Sequence, residues 1–318
     1  MKHFIIAFFV SFSVSLLIIK LSKKIDKLIT DYLHQGPQRF HKRPTPRLGG
    51  VGIFLAILVV GLWAFTRGLN TGKPLLYITL SSIPVFLAGL GEDITRRLSP
   101  KLRLFLMSLS SALAFILADA RIVRLDLPLI DELFSYWFFS FLFTVFALVG
   151  IANAINIIDG FNGLASGVSI MILLGIAYVS YKVGDSFILL SSLALAGALF
   201  GFFLLNYPYG LIFLGDGGAY ITGFFIGVLL ILLVKNNPQV SPWFALVVAI
   251  YPIYETVFSM YRRKFIKKSF ATAPDSMHLH SIFYKTLVRK LLGHEHEFRN
   301  PATSPLIWAI NSLGVVPA

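Results

Sequence analysis

Phe213-Leu-Gly215-Asp216-Gly217-Gly218-Ala-Tyr220 runs straight into Ile221-Thr-Gly-Phe-Phe-Ile-Gly-Val-Leu-Leu-Ile-Leu-Leu-Val234, and only Lys235 ends the apolar stretch. One carboxylate in a glycine-rich turn thus opens a run close to the roughly 20 apolar residues that cross a hydrocarbon core. Such a segment is apolar on every side, and in water it would have no solvated face. Its start has two readings. Backbone N–H groups in the turn can face an anion beside Asp216, or Asp216 can simply cap the helix.

The same kind of run recurs along the chain. The 318 residues are 56% hydrophobic and 14% charged, more apolar than a soluble domain of this size needs. Apolar windows lie near 3–20, 48–66, 75–91, 104–119, 134–152, 163–181, 187–205, 218–234, 243–260 and 304–317. They predict an all-α polytopic integral membrane protein with about ten transmembrane helices in one membrane-embedded domain, residues 1–318. The last window is short and is the weakest span. The first, Phe4 to Ile19, has the length of a signal peptide. It lacks a small-residue cleavage pattern and is followed by Leu21-Ser-Lys-Lys24, so it reads as a retained helix. With no cysteine, disulfides, thiolate metal sites and cysteine nucleophiles are excluded.

A formal charge of +13 raises nucleic acid as a partner, but the distribution argues against it. Of 28 Lys and Arg residues, 21 fall in three loops, Lys20–Arg47, Arg96–Arg103 and Arg262–Arg299. The positive-inside rule places these loops in the cytoplasm. Both termini are then external, and the segments around 92–103, 153–162, 206–217 and 261–303 gather on the cytoplasmic face. No internal repeat or inverted symmetry of the transporter kind is visible.

Only 15 carboxylates are present, and one near a membrane interface needs a reason, because burying an unpaired charge costs several kcal/mol. Asp119, Asp126, Asp131, Glu132 and Asp185 fall in predicted outer loops, where solvation is the ordinary reading. Glu92-Asp93, Asp159 and Asp216 stand instead where apolar helices meet inner loops. In Asn153-Ala-Ile-Asn156-Ile-Ile-Asp159-Gly160-Phe-Asn162-Gly163, the residues Asn153, Asn156 and Asp159 would share roughly one face if helical. A polar turn with an Asn cap explains the same stretch. Separate acidic loops that converge would suit a hard metal such as Mg²⁺, which takes carboxylate and phosphate oxygens together.

Pro44-Thr-Pro46-Arg47-Leu-Gly49-Gly50 reads as a structural joint between loop and helix. Arg96, Arg97, Lys101 and Arg103 suit either phosphate binding or an orientation signal. His278-Leu-His280, among arginines and lysines, is a weak zinc signal and a better candidate for gripping a diphosphate. His294 and His296 stand among Glu295 and Glu297 and read as a solvated segment. Glu255 is the main charge within a helix and suggests a partner in a basic loop.

At these residues the chain resembles the polyprenyl-phosphate N-acetylhexosamine-1-phosphate transferase superfamily, over about residues 44–290. The likeness rests on Pro44–Gly50, Gly91-Glu92-Asp93 with Leu98-Ser-Pro-Lys-Leu-Arg103, Asn153–Gly163, Gly215–Gly218 and His278-Leu-His280. It implies ten or so helices with a cytoplasmic active site in a bacterial inner membrane. It also implies Mg²⁺ or Mn²⁺, a UDP-sugar donor and undecaprenyl phosphate as acceptor. A homodimer is compatible with it.

By the same resemblance Asp216 would be a metal ligand, and Asp159 would help hold metal and nucleotide as well as act in catalysis. Asn153, Asn156 and Asn162 would be polar substrate groups. Asp93 with Glu92 would deprotonate or position the acceptor phosphate, while Lys101, Arg103, His278 and His280 would contact donor phosphates. Three departures stand out: Glu92 in place of Asp, Ser281 in place of a third His, and Asn162 in place of Asp. The sugar is not legible here. A transporter for an anionic solute and a non-catalytic lipid scaffold are the rival classes; nearly charge-free helix centres disfavour the first.

Overall fold

The computed structural model describes residues 1–22, 30–31, 45–266, 277–293 and 298–318. The basic stretches 23–29, 32–44 and 267–276, and the segment 294–297 with His294 and His296, lie outside the described residues. The elements that build the fold are α1 (Lys2–Ser22), α2 (Gly49–Thr66), α3 (Gly72–Ser81), α4 (Ile83–Thr95), α5 (Pro100–Leu117), α6 (Trp137–Ile157) and α7 (Leu164–Val183). They continue with α8 (Ser186–Asn206), α9 (Gly215–Asn236), α10 (Pro242–Val248), α11 (Ile250–Tyr261), the short α12 (Leu279–Phe283) and α13 (Arg299–Val315). Beyond helices the described residues hold one antiparallel two-stranded pairing, Thr30–Asp31 with Thr45–Pro46.

All ten apolar windows are helical, which makes the chain an all-α polytopic membrane protein, but they do not make ten plain spans. Among the described residues seven helices are long and apolar enough to cross a bilayer, and up to nine if each of two bent pairs is one span. The window at 75–91 is α3 and α4, bent by 46°; the window at 243–260 is α10 and its continuation from Ile250, bent by 75°. Pro84 and Pro252 each remove a backbone donor just past the break. The tenth window is α13, which has 17 residues and contains Pro305. It falls outside the set that crosses by length and composition.

Local sequence sets the helix ends. Ser99 accepts a hydrogen bond from the Leu102 amide at 3.3 Å with Pro100 at the first helical position of α5. Asp185 does the same for Ile188 at 3.0 Å at the start of α8. The core lies around α9, packed by α6, α4, α2 and α7. In its most apolar stretch 94% of residues are buried, against 17% for the peripheral α1. The helix whose start carries Asp216 is therefore the axis of the bundle.

Candidate active site

Backbone contact brings the site together. A Cβ added at Gly89 of α4 would lie 2.3 Å from the Gly217 nitrogen, and one at Gly50 of α2 would lie 2.3 Å from the Gly218 nitrogen. Only glycine lets three helices touch main chain to main chain at the first turn of α9. The segment before α2 is spliced to the segment before α9: Phe213 N–H donates to the Pro46 carbonyl at 2.8 Å, Gly49 N–H to Phe213 at 2.9 Å, and Gly50 N–H to Leu214 at 3.1 Å. The described part of the Pro44–Gly50 motif, residues 45–50, is thus the joint that delivers Arg47 to Asp216.

At that junction Asp93 closes the open end of α9. Its two oxygens accept from the Asp216 and Gly217 amides at 2.9 Å each, an N-terminal cap supplied from another helix. Its side chain is only 2% exposed. Asp93, rather than Asp216, therefore does the capping, and Asp216 is free to turn outward. Arg47 Nη2 lies 3.3 Å from one Asp216 oxygen, Arg103 Nη1 lies 3.4 Å from the other, and Asn156 Nδ2 donates to the first at 3.1 Å. Arg47 Nε also lies 3.4 Å from Asp93.

Other candidates diverge from this cluster. Glu92, one residue before Asp93, points elsewhere and accepts from the Leu98 amide at 2.9 Å, steadying the turn into α5. Lys101 is exposed on the first turn of α5. Asn153 donates to Val149 within α6 at 2.9 Å and faces Met107. Because α6 ends at Ile157, Asp159 leaves the helix face shared by the two asparagines and sits in the following turn. Burial raises its carboxyl to about 7, with the Asp216 charge adding to the rise and Arg47 opposing it. Asn162 is buried and turned into the protein. It donates to Pro208 at 2.9 Å, its amide bonds Asn300 at 2.9 Å, and its carbonyl accepts from Ser304 at 2.6 Å.

The histidines form a second, dry wall. His278 and His280 are both buried, with ring centroids 5.2 Å apart and nearly parallel. His280 stands edge-on to Phe161 with centroids 5.5 Å apart. Burial lowers the His280 imidazole to about 3, with His278 pushing the same way, so it is neutral. Glu255 has its partner here: it accepts from His278 Nδ1 at 2.9 Å.

Reading the sequence had missed Arg47, whose motif looked like a joint, and Tyr251 beneath His280. The signal for Arg47 was a cation directly after Pro44-Thr-Pro46 in the sequence.

Among the described residues no group of three or more His, Asp or Glu is placed to hold a metal ion. The donor chemistry still suits Mg²⁺, which takes a few carboxylate oxygens and completes its shell with water and substrate phosphate. Asp216 and Asp159 are close enough for their charges to act on each other, the Asn156 amide adjoins Asp216, and two arginines balance Asp216.

The glycosyl transferase family 4 pattern matches residues 75–234. A Bacillus subtilis protein named "Probable undecaprenyl-phosphate N-acetylglucosaminyl 1-phosphate transferase" is 31% identical over 88% of this chain and 77% of its own length. A Lactobacillus gasseri "Phospho-N-acetylmuramoyl-pentapeptide-transferase" is 29% identical over 81% of this chain and 82% of its own. A Thermotoga maritima "Undecaprenyl-phosphate alpha-N-acetylglucosaminyl 1-phosphate transferase" is 28% identical over 81% of this chain and 75% of its own.

Proposed function

Because this chain belongs to glycosyl transferase family 4, we propose that it transfers a sugar 1-phosphate, of the N-acetylhexosamine kind, from a UDP-sugar to undecaprenyl phosphate. A lipid phosphate oxygen attacks the β-phosphorus of the donor. The new P–O bond forms as the bond to the bridging oxygen breaks, and UMP leaves. The product is the lipid-linked diphosphate sugar that starts a cell-surface glycan. The observation that carries this reading is Asp216, turned outward at the start of the most buried helix with Asn156, Arg47 and Arg103 converging on it.

Phosphoryl transfer asks for positioning and for positive charge where the phosphate oxygens gain negative charge. Arg47 and Arg103 supply that charge and exchange a carboxylate partner for phosphate when substrate arrives. Asp216 and Asp159 would hold Mg²⁺, with Mn²⁺ able to serve, and the ion would neutralise the donor diphosphate. Asp93 fixes the direction of Asp216 by capping α9 and is a positioning residue in this scheme. The enzyme works in a bacterial inner membrane, with the site facing the cytoplasm beside the basic loops and both termini external. The acceptor's prenyl tail then stays in the bilayer while its phosphate reaches the site.

The test is UMP release by detergent-purified protein given undecaprenyl phosphate and a panel of UDP-sugars, with Mg²⁺ and with chelator. Metal-dependent UMP from one donor is expected, and it names the sugar. No UMP from any donor by folded protein would overturn the reading.

A further inference from the structure

Glu255 is 2% exposed within an apolar helix, where a carboxylate is costly unless its hydrogen bonds are complete. Here they are supplied by one tripeptide. Oε1 accepts from His278 Nδ1 at 2.9 Å, and the Leu279 amide donates to both oxygens at 3.0 and 3.1 Å. One turn earlier on α11, the hydroxyl of buried Tyr251 lies 3.3 Å from His280 Nδ1. Residues four apart share a helix face, so Tyr251 and Glu255 present two polar groups to two histidines that are themselves two apart. The opposite side of the histidine pair meets the loop after α6. His280 Nε2 lies 3.2 Å from where a Cβ on Gly160 would be, and its ring packs on Phe161. Gly160 and Phe161 follow Asp159 directly.

We infer that Tyr251 and Glu255 are positioning residues that hold His278-Leu279-His280 against the Asp159-Gly160-Phe161 turn as a preformed wall of the donor-diphosphate site. The inference rests on the reaction proposed above and deepens it. Neither residue is within the carboxylate cluster, so each acts on the donor only through a histidine. Gly160 belongs to the same device: any side chain there would press on the His280 ring. α11 itself leaves α10 at a bend of 75°.

The experiment is a double-mutant cycle on the full-length protein with UDP-N-acetylglucosamine and undecaprenyl phosphate. Glu255→Gln, His278→Asn and the pair together are compared by UMP release. Each single change is expected to raise the donor KM about tenfold, with kcat and the acceptor KM changed much less, and the double variant is expected to be no worse than the worse single one.

Wild-type kinetics in Glu255→Gln would overturn the inference, and so would effects that multiply in the double variant. An equal loss in kcat and both KM values together with a lowered melting temperature would also overturn it, by making Glu255 a staple of the fold alone. Should Glu255→Gln not fold, Tyr251→Phe removes one hydroxyl and is expected to shift the donor KM in the same direction by a smaller factor; no shift would overturn the pairing.

Wild-type protein that releases no UMP would fail the proposed reaction and leave this inference to ¹⁵N-histidine spectra. Loss of one hydrogen-bonded Nδ1–H signal in both Glu255→Gln and His278→Asn supports it, and unchanged spectra overturn it.

Discussion

The carboxylate wall, with Asp93, Asp216 and Asn156 beside Arg47 and Arg103, and the histidine wall, with His278 and His280 over Tyr251 and Glu255, differ in how much of their polarity is settled in the free protein. On the histidine wall both imidazole Nδ1 atoms, the Tyr251 hydroxyl and the Glu255 carboxylate are buried with neighbours at hydrogen-bond distance. On the carboxylate wall Arg47 is 30% exposed, Arg103 is 26% exposed, and their contacts with Asp216 are 3.3–3.4 Å long. Half-exposed ion pairs of that length contribute little stability and exchange partners readily. The comparison teaches where a ligand can enter. One wall offers charges that can be re-paired, and the other offers shape.

Asp216→Asn breaks the comparison most severely, because it removes the charge on which the exchangeable wall is centred. Turnover is expected to fall by about a thousandfold or more, with membrane insertion and melting temperature preserved. UMP release alongside gel filtration checks it, and substantial retained activity would sink the assignment of Asp216.

Asp93→Asn comes next. An amide offers one acceptor where α9 needs two, leaving an N–H unpaired at a cost of about 1–3 kcal/mol. Unlike Asp216→Asn it should lower the melting temperature by several degrees as well as activity, and a loss of activity alone would argue against the cap.

Arg47→Gln tests the exchangeability directly: a ten- to hundredfold loss of kcat/KM, roughly 1.4–2.7 kcal/mol, is expected with little change in melting. Loss of fold instead would make Arg47 a structural cross-link.

The histidine wall is probed by pH. His280 is neutral when folded, with its imidazole lowered to about 3, whereas in the unfolded chain it titrates near 6.5. Between those values the unfolded state binds the extra proton, so stability is full above about 6.5 and is lost as pH falls toward 3. From pH 8 to pH 5 this amounts to about 2 kcal/mol, expected as a melting-temperature drop that His280→Asn lessens. The smallest effect belongs to His294→Ala and His296→Ala, less than about twofold on turnover, because standing among Glu295 and Glu297 they read in the sequence as a solvated segment. A large loss there would mean a third wall.

The spans were legible because hydropathy is summed residue by residue and needs no knowledge of neighbours. Asp216 was legible as a lone carboxylate among Gly215, Gly217 and Gly218, although by itself it read equally well as a helix cap, and the family resemblance was needed to single it out. The pair Glu92-Asp93 was legible as acidic but not in its division of labour. Adjacent helical residues point about 100° apart, so one carboxylate steadies its own turn while the other reaches α9. Asp159 could not be placed from spacing because α6 stops two residues short of it. Arg47 was hidden for another reason: its role comes from a splice between segments more than 160 residues apart, which no window along the chain contains. Asn162 looked like its polar neighbours, but its side-chain amide donates to Pro208 while its main chain bonds Asn300 and Ser304, which spacing along the chain does not show.

The contacts of Gly50 and Gly89 with the start of α9 reach past the chemistry. Where main chain rests on main chain, the spacing of Asp93 and Asp216 is set by covalent geometry, with no side-chain packing left to relax. Most of α1 faces the bilayer, which thins, thickens or stiffens, yet its main chain rests on Gly197 and Gly201 of α8 rather than on the start of α9. The two carboxylates should therefore keep one and the same spacing in membranes of very different fluidity, as a watch movement keeps time whatever its strap.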